Sequence, residues 1–185
     1  MHAKNLALFI LTICTVTALA QKPVVETPAF AVCKTDYALC TFSECGKPDA
    51  QGKTVACSCR VRQGYSVGTE CEGPKKNPAG QTILRSRYYP IPGYARCSNS
   101  KPWAMCLDAT CTVDPKDIDP KDKKPRARCT CGVMQDKGDY LVKDSCPSGI
   151  ISSATVLDLD QITDFLETQD KIPVNNFTVL NPKQK

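Results

Sequence analysis

The spacing of cysteines constrains this chain more than any other feature of it. Of thirteen cysteines, Cys14 stands apart, and the other twelve divide into two sets of six. Cys33, Cys40, Cys45, Cys57, Cys59 and Cys71 run C-x6-C-x4-C-x11-C-x-C-x11-C; Cys97, Cys106, Cys111, Cys129, Cys131 and Cys146 run C-x8-C-x4-C-x17-C-x-C-x14-C. The x4 gap and the C-x-C pair are kept, and the remaining gaps grow. Side chains between the cysteines repeat as well. Tyr37-Ala38-Leu39-Cys40 matches Trp103-Ala104-Met105-Cys106, and Tyr65-x-Val67-x3-Cys71 matches Tyr140-x-Val142-x3-Cys146. Beyond each last cysteine lies an apolar stretch with serine, Ile83-Leu84-Arg85-Ser86 and then Ile150-Ile151-Ser152-Ser153. Agreement in order, spacing and residue type at this many places is an internal duplication.

Each repeat has roughly 60 residues, a size at which a hydrophobic core alone is marginal and crosslinks are the usual remedy. Three disulfides per repeat at about 2–4 kcal/mol each would supply much of the folding free energy. The expected fold is therefore mainly β, small and disulfide-rich: two tandem β-hairpin modules, at 28–89 and 92–157, with a short C-terminal amphipathic helix and tail at 158–185.

Residues 1–20, MHAKNLALFILTICTVTALA, have a basic start, an apolar stretch and an Ala-x-Ala end. They read as an export signal cleaved before Gln21. Cleavage removes Lys4, Cys14 and the only histidine, His2. An even set of cysteines in an exported chain implies full pairing in an oxidising compartment, extracellular or periplasmic. A mature chain without histidine has no Ser–His–Asp or Cys–His catalysis and no histidine-ligated zinc. No carboxylate pair suited to glycan cleavage stands out. The net charge, one below the +5 of the full chain, implies no preference for nucleic acid, and past the signal no segment is apolar enough to span a membrane.

Within a repeat, Thr54 to Val61 alternates as a strand does, which places Cys57 and Cys59 on one face. Arg62-Gln63-Gly64 reads as a turn, also a candidate protease-inhibiting loop, with Tyr65 to Glu70 returning. In the second repeat Ala127 to Met134 goes out, Gln135 to Gly138 turns, and Tyr140 to Lys143 returns. Two cysteines one residue apart in a strand take different partners. The charged, proline-punctuated stretch Val113 to Pro125 reads as an exposed mobile loop tip. A calcium loop on Asp114, Asp117, Asp119 and Asp122 is the alternative, without the residue order of an EF-hand.

At the join, Arg85, Arg87, Tyr88, Tyr89 and Tyr94 form a candidate partner surface, since Tyr and Arg favour interface centres; the competing reading is a closing strand and proline linker with tyrosines packed between the modules. Asp158-Leu159-Asp160-Gln161 reads as a capping box opening a helix over 159–170, with Leu159, Ile162, Phe165 and Leu166 on its apolar stripe. Asn176-Phe177-Thr178 is a glycosylation sequon, relevant in a eukaryotic host.

The six-cysteine framework resembles an EGF-like module, twice over. The resemblance rests on Cys57-Ser58-Cys59 followed by Gly64-Tyr65, Gly68 and Cys71, and it extends from 33–71 to 97–146. It implies the pairs Cys33–Cys45, Cys40–Cys57 and Cys59–Cys71, then Cys97–Cys111, Cys106–Cys129 and Cys131–Cys146. The strand after each last cysteine is foreign to that family. Through Cys57-Ser58-Cys59 and Gly64-Tyr65-Ser66 the chain is similar as well to exported cysteine-rich bacterial proteins. The expected function is that of a non-catalytic secreted or periplasmic protein, without a cofactor, presenting loops to a protein or glycan partner. The alternative is a redox or soft-metal protein using the thiols of Cys57, Cys59, Cys129 and Cys131.

Overall fold

The computed structural model describes residues 30–88, 93–98, 100–135, 138–155, 158, 161, 162, 165 and 178–180. The export signal, Tyr89 and Asn176 lie outside these. The described chain is mainly β. Its strands are β1 (Ala31–Leu39), β2 (Cys45–Pro48), β3 (Thr54–Gly68), β4 (Lys75–Lys76), β5 (Thr82–Arg87), β6 (Gly93–Cys97), β7 (Trp103–Met105), β8 (Thr110–Ile118), β9 (Pro125–Met134), β10 (Tyr140–Val142) and β11 (Thr178–Leu180).

The C-x-C strands alternate as the sequence requires. Val55, Cys57 and Cys59 on β3, and Ala127, Cys129 and Cys131 on β9, are all buried. Ala56, Arg128 and Thr130 between them are exposed. The return strands differ from expectation. β3 runs straight through Arg62-Gln63-Gly64, because β1 supplies an unbroken antiparallel partner from Ala31 opposite Gly68 to Leu39 opposite Arg60. Gly64, opposite Thr35, takes a φ of 132° inside this ladder, a value that side-chain-bearing residues rarely adopt. Arg62-Gln63-Gly64 is thus strand, not a protruding loop. In the second repeat β10 pairs with β6 instead of returning along β9. Each C-x-C strand makes its hairpin with the strand that precedes it, β2 with β3 and β8 with β9.

The two repeats share one sheet. β3 lies antiparallel to β9, with Cys57 opposite Cys129, Val55 opposite Cys131 and Cys59 opposite Ala127. Cys57 and Cys129 are equivalent positions of the duplication, so a local two-fold axis passes between them and exchanges the repeats. The pairings β1–β3, β3–β9, β9–β8, β8–β5 and β5–β1 close on themselves. The main core lies inside that circuit and draws on both repeats: Ala38, Val55, Leu84, Tyr88, Ala104 and Leu141 pack around seven buried cysteines.

The stretch after each last cysteine closes the barrel and does so by exchange. β5 of the first repeat runs beside its own β1 and also beside β8 of the second, with Leu84 opposite Cys111. Residues 150–152 of the second repeat run beside their own Ala104 and reach Glu44 of the first. The Ser86 hydroxyl donates to the Cys106 carbonyl, and the Ser152 hydroxyl donates to the Cys40 carbonyl. Ser86 and Ser152 therefore play one role, a residue out of step with the match Ser86 to Ser153 that the sequence suggests. Phe42 and Asp108, each two residues past the second cysteine of its repeat, have φ of 55° and 57°. Their amides donate to the Ser152 and Ser86 carbonyls across the repeat boundary.

Tyr88 adds an asymmetric fastening. Its hydroxyl donates to the Ser153 carbonyl at 2.6 Å and accepts from the Cys106 amide at 2.8 Å. Burial pushes its phenol far up, which keeps it protonated as a donor. Tyr88→Phe leaves a buried amide and a buried carbonyl without that partner. We expect a loss of about 2 kcal/mol, read by thermal denaturation as a Tm drop of roughly 5 °C; an unchanged Tm would show that the hydroxyl does not join the repeats.

A helix follows residue 155, but its cap sits one turn earlier than Asp158-x-x-Gln161. The Thr155 hydroxyl and amide donate to Asp158 Oδ2, and the Asp158 amide donates back to Thr155 Oγ1. Thr155 is the N-cap and Asp158 its reciprocal partner. Asp158, Gln161, Ile162 and Phe165 are helical. Ile162 is buried in the main core, and the Phe165 ring lies 5.8 Å from that of Phe30.

Candidate functional site

Three places carry side chains with chemical potential: the sulfur-filled barrel interior, the tyrosine–arginine stretch at the join, and the outer face of β3 and β9.

Each repeat pairs its cysteines by nesting: first with sixth, second with fifth, third with fourth. The bonds are Cys33–Cys71, Cys40–Cys59 and Cys45–Cys57, then Cys97–Cys146, Cys106–Cys131 and Cys111–Cys129. None of the six pairs implied by the EGF-like resemblance forms. The ladder dictates the outcome, because Cys45 lies directly opposite Cys57 and Cys111 directly opposite Cys129. Cys57 and Cys59 share a face and still take different partners, as strand geometry requires.

Disulfides of different repeats touch inside the barrel. The Cys40 and Cys129 sulfurs are 3.4 Å apart. Cys40, Cys59 and Cys129 form one sulfur triad and Cys57, Cys106 and Cys131 another, with sulfurs within 4.8 Å. The two-fold axis exchanges these triads. In the oxidised state every one of these sulfurs is bonded to another sulfur, so they act as packing atoms rather than thiolate ligands.

At the join, two of the five candidate surface residues, Arg87 and Tyr88, are buried instead. Arg87 is 0% exposed and Tyr88 3%. Arg85 is half-buried, its Nε donating to Glu72 Oε2 at 2.8 Å and its Nη1 to Thr110 Oγ1 at 3.0 Å. Tyr94 contributes backbone to β6 opposite Val179, and Tyr89 is outside the described residues. The buried guanidinium of Arg87 donates to Asp108 Oδ1 and to the Ser86 and Glu70 carbonyls. Asp108 Oδ2 accepts from the Thr69 amide at 2.8 Å and from its hydroxyl at 3.0 Å. A Cβ at Gly68 would stand 2.5 Å from Arg87 Nε, so any larger residue there has to displace the guanidinium and its carboxylate. The cluster is structural: it ties the exit of β3 to β5 and to the left-handed residue Asp108. Asp108→Asn keeps the shape and the left-handed tolerance but strands a buried positive charge. We expect a loss of about 3 kcal/mol in denaturant unfolding; a loss below about 1 kcal/mol, the range of an exposed ion pair, would contradict this account.

The stretch Val113 to Pro125 is not a free loop tip. β8 runs to Ile118, the chain turns through Lys123 at φ 58°, and the hairpin returns as β9. It folds against the outer face of β3 because that face carries Ser58, Arg60 and Arg62, complementary to its acids. The four aspartates of the calcium alternative go to separate partners. Asp114 accepts from the Lys116 amide, Asp117 from Ser58 Oγ, Asp119 from the Lys121 amide, and Asp122 from Arg62 and the Lys124 amide. Asp119 is 2% exposed and lies 3.4 Å from Arg126 Nη2. Its carboxyl is held below the usual range by the Lys121 amide and then by the charges of Arg126, Arg60 and Arg62, against the opposing effect of burial.

A recess of about 270 Å³ opens beside this hairpin, lined by Phe42, Ser43, Glu44, Ser58, Arg60, Asp119, Lys121 and Arg126 among others. Of these only Asp119 stood out in the sequence, as a candidate calcium ligand, because the hairpin insertion meets β3 only through the β3–β9 pairing. Among the described residues no helix is long and apolar enough to cross a membrane. Neither a protein-family model, nor a curated protein, nor a solved structure matches this chain.

Proposed function

We propose that this chain is a non-catalytic exported protein, extracellular or periplasmic, whose disulfide-stapled barrel presents its outer face to a protein or glycan partner. The observation that carries this reading is the bonded state of the barrel interior. The twelve cysteines from Cys33 to Cys146 are all in disulfides, and sulfurs of both repeats pack the barrel interior. Contact with another molecule is then made from outside. Paired cysteines also support an oxidising compartment.

The test uses the mature chain purified without reductant. Under denaturing conditions we expect no free thiol and no bound metal, and in a thiol-disulfide turnover assay no activity. A glycan array and a panel of extracellular or periplasmic proteins should give saturable binding that reduction abolishes. Free thiols together with stoichiometric zinc or copper, or disulfide turnover, would replace this reading with the thiol-based one.

A further inference from the structure

We propose that the recess beside the β8–β9 hairpin binds the carboxylate of an acidic sugar, with the sugar ring against Phe42 and its hydroxyls toward Ser43, Glu44 and Ser58. This deepens the reading of the chain as a binding protein and rests on it.

Arg60 and Arg126 are directly opposite each other in the β3–β9 ladder and on its outer face. Like charges in that relation destabilise a sheet unless an anion lies between them. Asp119 supplies only part of the compensation. It lies against Arg126 Nη2 and accepts from the Lys121 amide, while Arg62 is taken by Asp122. The Arg60 side chain makes no hydrogen bond and no close ion pair among the described residues, its charge reaching Asp119 only from beyond contact, and Arg126 Nε is buried without a partner. Around the recess Arg60, Lys121 and Arg126 face Asp119 and Glu44. Among the lining residues one positive charge is left over, with Asp117 outside the lining and engaged by the Ser58 hydroxyl.

The shape of this surplus selects the ligand. Arginine forks match a carboxylate with paired N–H donors. A surplus of one suits a singly charged group, and Glu44 on the wall opposes a phosphate dianion. Hydroxyls and a carboxylate beside the arginines suit sugar hydroxyls, while Phe42, half-buried against the core, is the apolar residue of the lining that the ring's C–H face would meet. The recess has room for about one sugar unit, below the 300 Å³ at which drug-sized pockets begin. It is open, so longer acidic glycans can pass through with one residue seated.

The experiment is an NMR titration of the oxidised mature chain with glucuronate and short glucuronate oligomers, with glucose and inorganic phosphate as comparison probes. We expect saturable shifts at Ser43, Glu44, Ser58 and Lys121 with the uronates, and none with glucose. Arg60→Gln should weaken binding by about tenfold, as loss of a charge-assisted pair does. Arg60→Lys, which keeps the charge without the fork, should weaken it less. Arg96→Gln, on β6, should change nothing. The same spectra report whether each variant is folded. Equal binding of glucose, equal or tighter binding of phosphate, undiminished binding by folded Arg60→Gln, or no saturable binding at all would each overturn the assignment. Those outcomes leave the broader reading standing if an array finds another ligand, whereas disulfide turnover would remove that reading without touching the titration.

Discussion

Mild reduction of the native protein should open Cys33–Cys71 and Cys97–Cys146 first and leave four disulfides intact. Thiol-disulfide exchange requires a thiolate to reach a sulfur. Cys71 and Cys146 are exposed residues, one at the end of each repeat. Cys40, Cys57, Cys59, Cys106, Cys111, Cys129 and Cys131 are at most 1% exposed, and Cys45 is half-buried. Access to this group requires opening the barrel, which costs a large part of the global stability of 5 kcal/mol or more that is typical of a folded domain. A difference of that size slows reaction more than about a thousandfold. Alkylation at intervals followed by peptide mapping should therefore show two plateaus, with Cys45–Cys57 the first of the inner bonds to yield. When the inner four go, the fold should go with them, because four crosslinks at about 2–4 kcal/mol each match the whole net stability of such a chain. Uniform loss of all six bonds, or early loss of Cys40–Cys59 or Cys106–Cys131, would show that the sulfurs are not the protected interior.

The sequence carries the local part of this fold and hides the non-local part. Alternation in Thr54 to Val61 puts Cys57 and Cys59 on one face, and the duplication announces that whatever holds for one repeat holds for the other. The kept x4 gap marks the one turn that both repeats need, with Phe42 and Asp108 in the left-handed region at its second position. Pairing between repeats leaves no such mark. Nothing in residues 83–86 or 150–153 says which β-strand each will border, since an apolar stretch with a serine suits any edge. Arg87 read as a surface residue because arginine is almost never fully buried without a partner, and its partner Asp108 is 21 residues away. The hairpin insertion reads as mobile because nothing local pairs most of its charges; it meets Arg126 of its own repeat, but Arg60 and Arg62 belong to the other. The recess escaped the sequence for the same reason. Arg60 and Arg126, which make it interesting, are each ordinary on their own strand.

The exchanged closure makes a firm demand on the halves. Residues 21–91 and residues 92–185, produced separately under oxidising conditions, should each fail to show a cooperative unfolding transition as a monomer. The first half lacks β8 and β9, so β5 keeps β1 and the short β4 but loses β8, and the inner edge of β3 is open. The second lacks the residues around Glu44 that Ser152 reaches, and the Cys40 carbonyl that its hydroxyl satisfies. Both expose the face on which Cys57 and Cys129 meet. Two tandem domains with private cores would behave in the opposite way, each half melting cooperatively by itself. Refolding the halves together should restore the six native disulfides and a cooperative melt. That melt should rise with concentration, because association of two chains forfeits translational and rotational freedom that the linked chain never loses. The local two-fold axis adds a sharper consequence. A lone first half can satisfy its open β3 edge only with another β3 in the same antiparallel register about Cys57, so any folded species that it forms should be a dimer. A cooperative monomer from either half would mean that the β3–β9 ladder decorates two finished modules instead of completing one barrel.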